Sequence, residues 1–167
     1  MRLLWCVLLL GATSLAGAQK LPWQGRMVGA SIETKAPQHV QYLFPEQISV
    51  AAGKDAVIEM HFRVNPGMHI NSHTPREKWL IATRLNVVET PAMKIGAVDF
   101  PAGEDYALAS MPNDKLSVYT GEFVVRVHIV SRPGQHILQG ALRYQACDAN
   151  SCYPPREAPV AVDVIAK

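Results

Sequence analysis

Two residues late in the chain can do chemistry together. Cys147 and Cys152 are separated by four residues in Tyr144-Gln145-Ala146-Cys147-Asp148-Ala149-Asn150-Ser151-Cys152-Tyr153-Pro154-Pro155. A thiolate attacks a disulfide sulfur through a mixed disulfide, and a second thiol within reach resolves it. Two cysteines across a tight loop meet both needs. Asp148, if near the sulfur, would raise the Cys147 pKa and favour the thiol. No helix N-terminus is visible that would depress it. The pair is therefore read as able to cycle without being a strongly activated nucleophile, which suits a carrier that meets a better-activated partner.

Two other uses of the cysteines compete with this one. Cysteine pairs in exported proteins are more often structural clamps. A small ring, however, removes little entropy from the unfolded chain, and a chain of this size has a core of its own. Short-loop, exposed disulfides are also the reducible kind. The second use is a soft-metal site, in which a closed tetrahedral shell needs two further ligands. His69 and His73 would share a face on a helix. Pro75 and the turn before them instead favour extended backbone, so both are read as polar strand-end residues. His61 and His128 are read as outward-facing strand residues. Neither a resident metal nor a cofactor is expected.

The elements that must position the cysteines are strands. In Val57–Val64, Ile58, Met60, Phe62 and Val64 fall on one face and Glu59, His61 and Arg63 on the other. That alternation marks a half-buried antiparallel strand. Gly121–Val130 repeats it with Phe123, Val125, Val127 and Ile129 facing in. His136–Ala146 places Leu138, Leu142 and Tyr144 on one face, and Pro159–Ile165 does the same with Val160, Val162 and Val164. Shorter strands are expected at 40–44, 48–51, 68–72, 82–89, 95–100 and 116–119. Segment 104–115, with Tyr106, Met111 and Pro112, has no period and is expected as a long loop, a form often tied to function. No window keeps a helical period. Short strands separated by Gly/Pro turns predict an all-β, immunoglobulin-like antiparallel β-sandwich with the cysteine loop between its last two strands.

The chain has 167 residues, a formal net charge of +2 and 49% hydrophobic residues. It is long and apolar enough for one packed domain, and the lack of a basic block argues against nucleic acid as a partner. Residues 1–18 read as a signal peptide: Arg2, an apolar run from Leu3 to Leu10, and the cleavage-type sequence Ala16-Gly17-Ala18. The run is too short for a bilayer span, so no membrane insertion is expected after cleavage. Residues 19–39 are expected as a flexible arm and 40–167 as the sandwich. Cleavage removes Cys6 and leaves Cys147 and Cys152 as the mature protein's pair. Export places them in an oxidising compartment.

The string Leu142–Asp148 with Cys152-Tyr153-Pro154-Pro155 resembles the N-terminal periplasmic domain of the thiol:disulfide interchange protein DsbD. Pro66-Gly67-Met68-His69-Ile70-Asn71-Ser72 and Val118-Tyr119-Thr120-Gly121-Glu122 resemble two further segments of that family. The likeness runs over roughly 44–167. It implies an immunoglobulin-like sandwich that passes electrons from a membrane-linked thioredoxin-like donor to periplasmic thioredoxin-fold proteins. Those acceptors serve disulfide isomerisation or cytochrome c maturation. It implies that Cys152 forms the intermolecular bond and that Cys147 resolves it. It also implies a cap over the pair, for which 104–115 is the candidate segment and Tyr106 the candidate shield. The loop between the cysteines is one residue shorter than in the best-studied members. No membrane segments follow the resembling stretch, so the expectation is a stand-alone periplasmic monomer served in trans by a separate membrane-linked reductase. The competing expectations are a non-catalytic binding module with a structural disulfide and, less favoured, a soft-metal chaperone using the thiolates with Met68 or His69.

Overall fold

The computed structural model describes residues 37–43, 47–108 and 111–167, with the side chains of 111 and 112 excepted. The signal-peptide reading and most of the N-terminal arm lie outside the described residues. Twelve strands are described: β1 Val40–Leu43, β2 Gln47–Val50, β3 Asp55–Val64, β4 His69–Asn71, β5 Arg84–Val87, β6 Met93–Asp99, β7 Glu104–Leu108, β8 Met111–Tyr119, β9 Glu122–Ser131, β10 Gly134–Tyr144, β11 Ala146–Cys147 and β12 Arg156–Ala166.

These form three four-stranded sheets, ordered β1-β3-β9-β6, β2-β12-β10-β5 and β11-β4-β8-β7. The first two are the layers of an immunoglobulin-like sandwich. The alternating apolar faces of β3, β9, β10 and β12 meet in one cluster that includes Phe62, Val127, Leu138, Tyr144 and Val162. Burying a side chain of this kind contributes about 1.5–3 kcal/mol. An exposed pair such as Arg63–Glu122, whose side chains keep 50% and 56% of their surface, is worth about 0–1 kcal/mol. The core, not the surface ion pairs, therefore holds the layers together.

Two features depart from the sequence expectation. One pairing, β2 with β12, is parallel. Backbone bonds from Ala52 N to Lys167 O and from Lys167 N to Val50 O continue it past the strand ends. The second departure is segment 104–115, which is no loop. It forms a hairpin in which β7 and the first part of β8 pair antiparallel, with a register shift between Ala107 and Leu108. None of the β7 residues is buried. The hairpin satisfies its backbone by pairing rather than by burying a face, so it leaves no apolar period to read.

The third sheet places the cysteines. It is joined to the core through Ile70 of β4, Tyr119 of β8 and Ala146 of β11, all in the main cluster. Gly103, just before β7, packs against the Ser72–Ser117 hydroxyl pair, which is 2.9 Å apart. A Cβ at Gly103 would lie 2.7 Å from Ser72 Cβ, so only glycine lets the hairpin start this close to β4 and β8.

Candidate functional site

β10 and β12 pair down to Tyr144↔Arg156, and the chain between them folds into a second, smaller hairpin. Ala146 and Cys147 pair with Ile70 and His69 of β4. Cys147 and Cys152 then form an antiparallel bridge and a disulfide, with Cα atoms 4.0 Å apart. Backbone bonds flank the bridge on both sides: Tyr153 N to Ala146 O at 2.8 Å and Asp148 N to Ser151 O at 2.9 Å. The cysteines thus occupy a non-hydrogen-bonded position, where opposed Cα atoms come closest. Main-chain pairing on both sides of the bridge sets the two sulfurs side by side.

Asp148 locks the turn. Its Oδ1 accepts from the backbone N–H groups of Asn150 and Ser151, each at 2.7 Å, and its Oδ2 accepts from the Tyr153 hydroxyl at 2.8 Å. The Asn150 amide, the Tyr153 phenol and the Ser151 amide hold the carboxyl below its ordinary range, with the Asn150 bond the largest cause. The hydrogen bond from Tyr153 to Asp148 in turn raises the Tyr153 phenol. The carboxylate anticipated beside the sulfur is therefore engaged in shaping the loop.

The two sulfurs differ in access. Cys147 retains 3% of its surface, whereas Cys152 is exposed. A cavity of about 600 Å³ borders both cysteines. Its other walls are the β7–β8 hairpin, through Leu108, Asp114 and Lys115, and the segment bearing Arg76 and Trp79. Arg76 ties that segment to the hairpin by pairing with Asp105 and donating to Lys115 O at 2.9 Å. Lys115 Nζ also reaches Asp105, at 3.3 Å. Lys115 and Arg76 together keep the Asp105 carboxyl low.

Tyr106 projects from β7 onto the ring of His69, with centroids 4.3 Å apart. It reaches the cysteines' neighbourhood through that histidine. His69 does lie at a strand end, as the first residue of β4, but it is 1% exposed and directly opposite Cys147. All three residues of β4 are buried, so no alternation distinguishes a polar face there. His73 instead takes Arg84 at 2.8 Å and stacks on Phe100. Among the described residues no three His, Cys, Asp or Glu side chains gather as a metal-binding group. Trp79 was also missed. Its only signal was a large aromatic set among Arg76, Glu77 and Lys78, and it is 74% exposed at the cavity rim.

The family model described as "Thiol:disulfide interchange protein DsbD, N-terminal" matches residues 39–163. Among solved structures, the reduced DsbD N-terminal domain of Neisseria meningitidis shares 21% identity over 66% of this chain and 79% of its own, with a TM-score of 0.44. The complex of the DsbD and PilB N-terminal domains from the same organism shares 21% identity over 66% of this chain and 77% of its own, also at 0.44. The N-terminal periplasmic domain of ScsB from Proteus mirabilis shares 17% identity over 69% of this chain and 43% of its own, at 0.50, and has the same fold. No curated protein matches the chain.

Proposed function

The chain belongs to the family of DsbD N-terminal domains, whose role is thiol–disulfide interchange, and we propose that it is a periplasmic carrier of reducing equivalents using Cys147 and Cys152. A membrane-linked reductase acting in trans reduces the pair. The dithiol then reduces thioredoxin-fold proteins. Cys152 makes the intermolecular bond and Cys147 resolves it. The protein works as an exported monomer, with residues 1–18 as its leader, 19–39 as an arm and 40–167 as the working domain.

The observation that carries this reading is the unequal exposure of two bonded sulfurs in a hairpin closed by its own backbone. An incoming thiolate meets Cys152 more readily than the buried Cys147, which is already placed to close the ring again. The N. meningitidis DsbD domain has been captured with a PilB N-terminal domain, a precedent for a domain partner of this kind. The β7–β8 hairpin is the cap, and Tyr106 braces it over the site by packing on His69. The test is the reduction potential of the Cys147–Cys152 pair. A carrier lies above about −300 mV, and a structural disulfide lies below it. A value in the structural range, with no exchange with a thioredoxin-fold protein, would leave a binding module whose disulfide only shapes the loop.

A further inference from the structure

Resolving a mixed disulfide on Cys152 needs the Cys147 thiolate, yet Cys147 is a buried sulfur. Burial in apolar surroundings favours the neutral thiol, so the proton must have somewhere to go. His69 stands directly across the β4–β11 pair from Cys147. Directly opposed side chains share a face and lie about 4.5–5.5 Å apart at Cβ. Both residues border the same cavity. His69 Nδ1 is fully buried and has no hydrogen-bond partner among the described residues. A buried ring nitrogen left unpaired is costly, and a histidine kept only for packing would be expected to have one.

We propose that His69 accepts the proton of the Cys147 thiol as that sulfur attacks Cys152. The step rests on the interchange reading above. Cys152 thiolate first attacks the partner's disulfide, forming the Cys152–partner bond and releasing one partner thiolate. Cys147 then passes its proton to the imidazole, and its sulfur attacks Cys152 Sγ. The Cys147–Cys152 bond forms, the Cys152–partner bond breaks, and the second partner thiolate leaves. The imidazolium returns its proton to that thiolate or to water. Two electrons pass from the dithiol to the partner disulfide.

The surroundings suit a neutral imidazole that is protonated only in passing. Burial pushes the His69 pKa down, and the Asp148 carboxylate partly opposes that. The groups that face it are Cys147 and Asp148 on the cysteine hairpin and Tyr106 on β7. Arg76, Glu77, Asp114 and Lys115 stand around the shared cavity. Asp148 is thus the nearby anion that would stabilise a transient imidazolium, while its own hydrogen bonds remain within the turn.

The test follows the reduced protein reacting with glutathione disulfide, quenched in acid and weighed by mass spectrometry, so that mixed-disulfide formation and decay are separate rates. His69→Gln should form the mixed disulfide at the wild-type rate and resolve it on the order of 100-fold more slowly. His69→Phe, which keeps a ring against Tyr106, should be as slow. In the wild type, resolution should rise with pH through an inflection below the ordinary histidine value of 6.5, with no such inflection in either variant. Wild-type resolution rates in His69→Phe, or a wild-type profile without that inflection, overturn the proton transfer while leaving the exchange reading intact. A wild type that forms no mixed disulfide at all removes both.

Discussion

The hydroxyl of Tyr153 donates to the carboxylate of Asp148 at 2.8 Å, across the end of the hairpin that carries the disulfide. Together with the Asn150 and Ser151 amides, it makes the Asp148 carboxylate the hub of the turn. Because these bonds favour the charged form, the folded pKa lies below the ordinary 3.8. Their contribution is complete above that value and is lost as pH falls through the folded one. The amide resonances of Asn150 and Ser151 should therefore move in acid at pH values below 3.8. In Asp148→Ala they should be shifted at all pH values, and the hairpin amides should exchange faster at neutral pH. Unchanged amides in Asp148→Ala would show that the carboxylate does not hold the turn.

The exposed and buried sulfurs should behave differently when separated. Cys147→Ser should accumulate a stable mixed disulfide with a thioredoxin-fold partner, because no resolving thiol remains. Cys152→Ser should trap at least about tenfold less, since Cys147 is 3% exposed and thiol exchange depends on access. Electrophoresis without reductant reads both. Equal trapping would refute the assignment of Cys152 as the attacking residue.

Tyr106 packs on His69, the residue paired with Cys147. Tyr106→Ala should loosen the hairpin's hold on the site. Reduction of the pair by a small thiol such as glutathione should then be several-fold faster, while the core and hence the thermal midpoint change little. A midpoint drop as large as that of the core truncation Phe62→Ala, whose free-energy cost is about 3–5 kcal/mol, would mean that the ring is structural instead.

On the outer face of the sandwich, His128 meets Asp55 at 3.1 Å and Asp99 at 3.3 Å. The Asp55 bond leads in raising its pKa above 6.5. A raised histidine stabilises the fold fully below its unfolded value and loses that contribution as pH rises through the folded one. The thermal midpoint of the wild type relative to His128→Gln should be highest below pH 6.5 and converge above the folded pKa. High salt should narrow the gap, since the groups are exposed. A gap that is flat with pH would contradict the ion cluster.

The main strands were legible because one face of each is wet. Ile58 to Val64 alternate with Glu59, His61 and Arg63, Phe123 to Ile129 alternate with Val124, Arg126 and His128, and burial follows that alternation. The cysteine pair was legible from residue type and spacing alone. What escaped the reading lies where alternation fails for opposite reasons. β7 hides nothing, so Tyr106 sat in an apparent loop. β4 hides everything, so no alternation signalled that His69, at its first position, is buried. The opposition of His69 to Cys147 is a pairing between strands more than seventy residues apart in sequence, which no local pattern encodes. The parallel joining of β2 to β12 is of the same kind.

The flanking bonds from Tyr153 to Ala146 and from Asp148 to Ser151 have a further consequence for exchange. They are main-chain bonds that use neither sulfur, so the loop should keep its backbone conformation when the sulfur–sulfur bond opens, and oxidation and reduction should require little rearrangement of the chain. If the protein is the carrier proposed above, a partner would then meet nearly the same surface on its reduced and oxidised forms. Shape could not tell it which state it had met. The direction of traffic would be set by the relative potentials of the two dithiols, and encounters with the wrong redox state would act as competitive inhibition by the protein's own product.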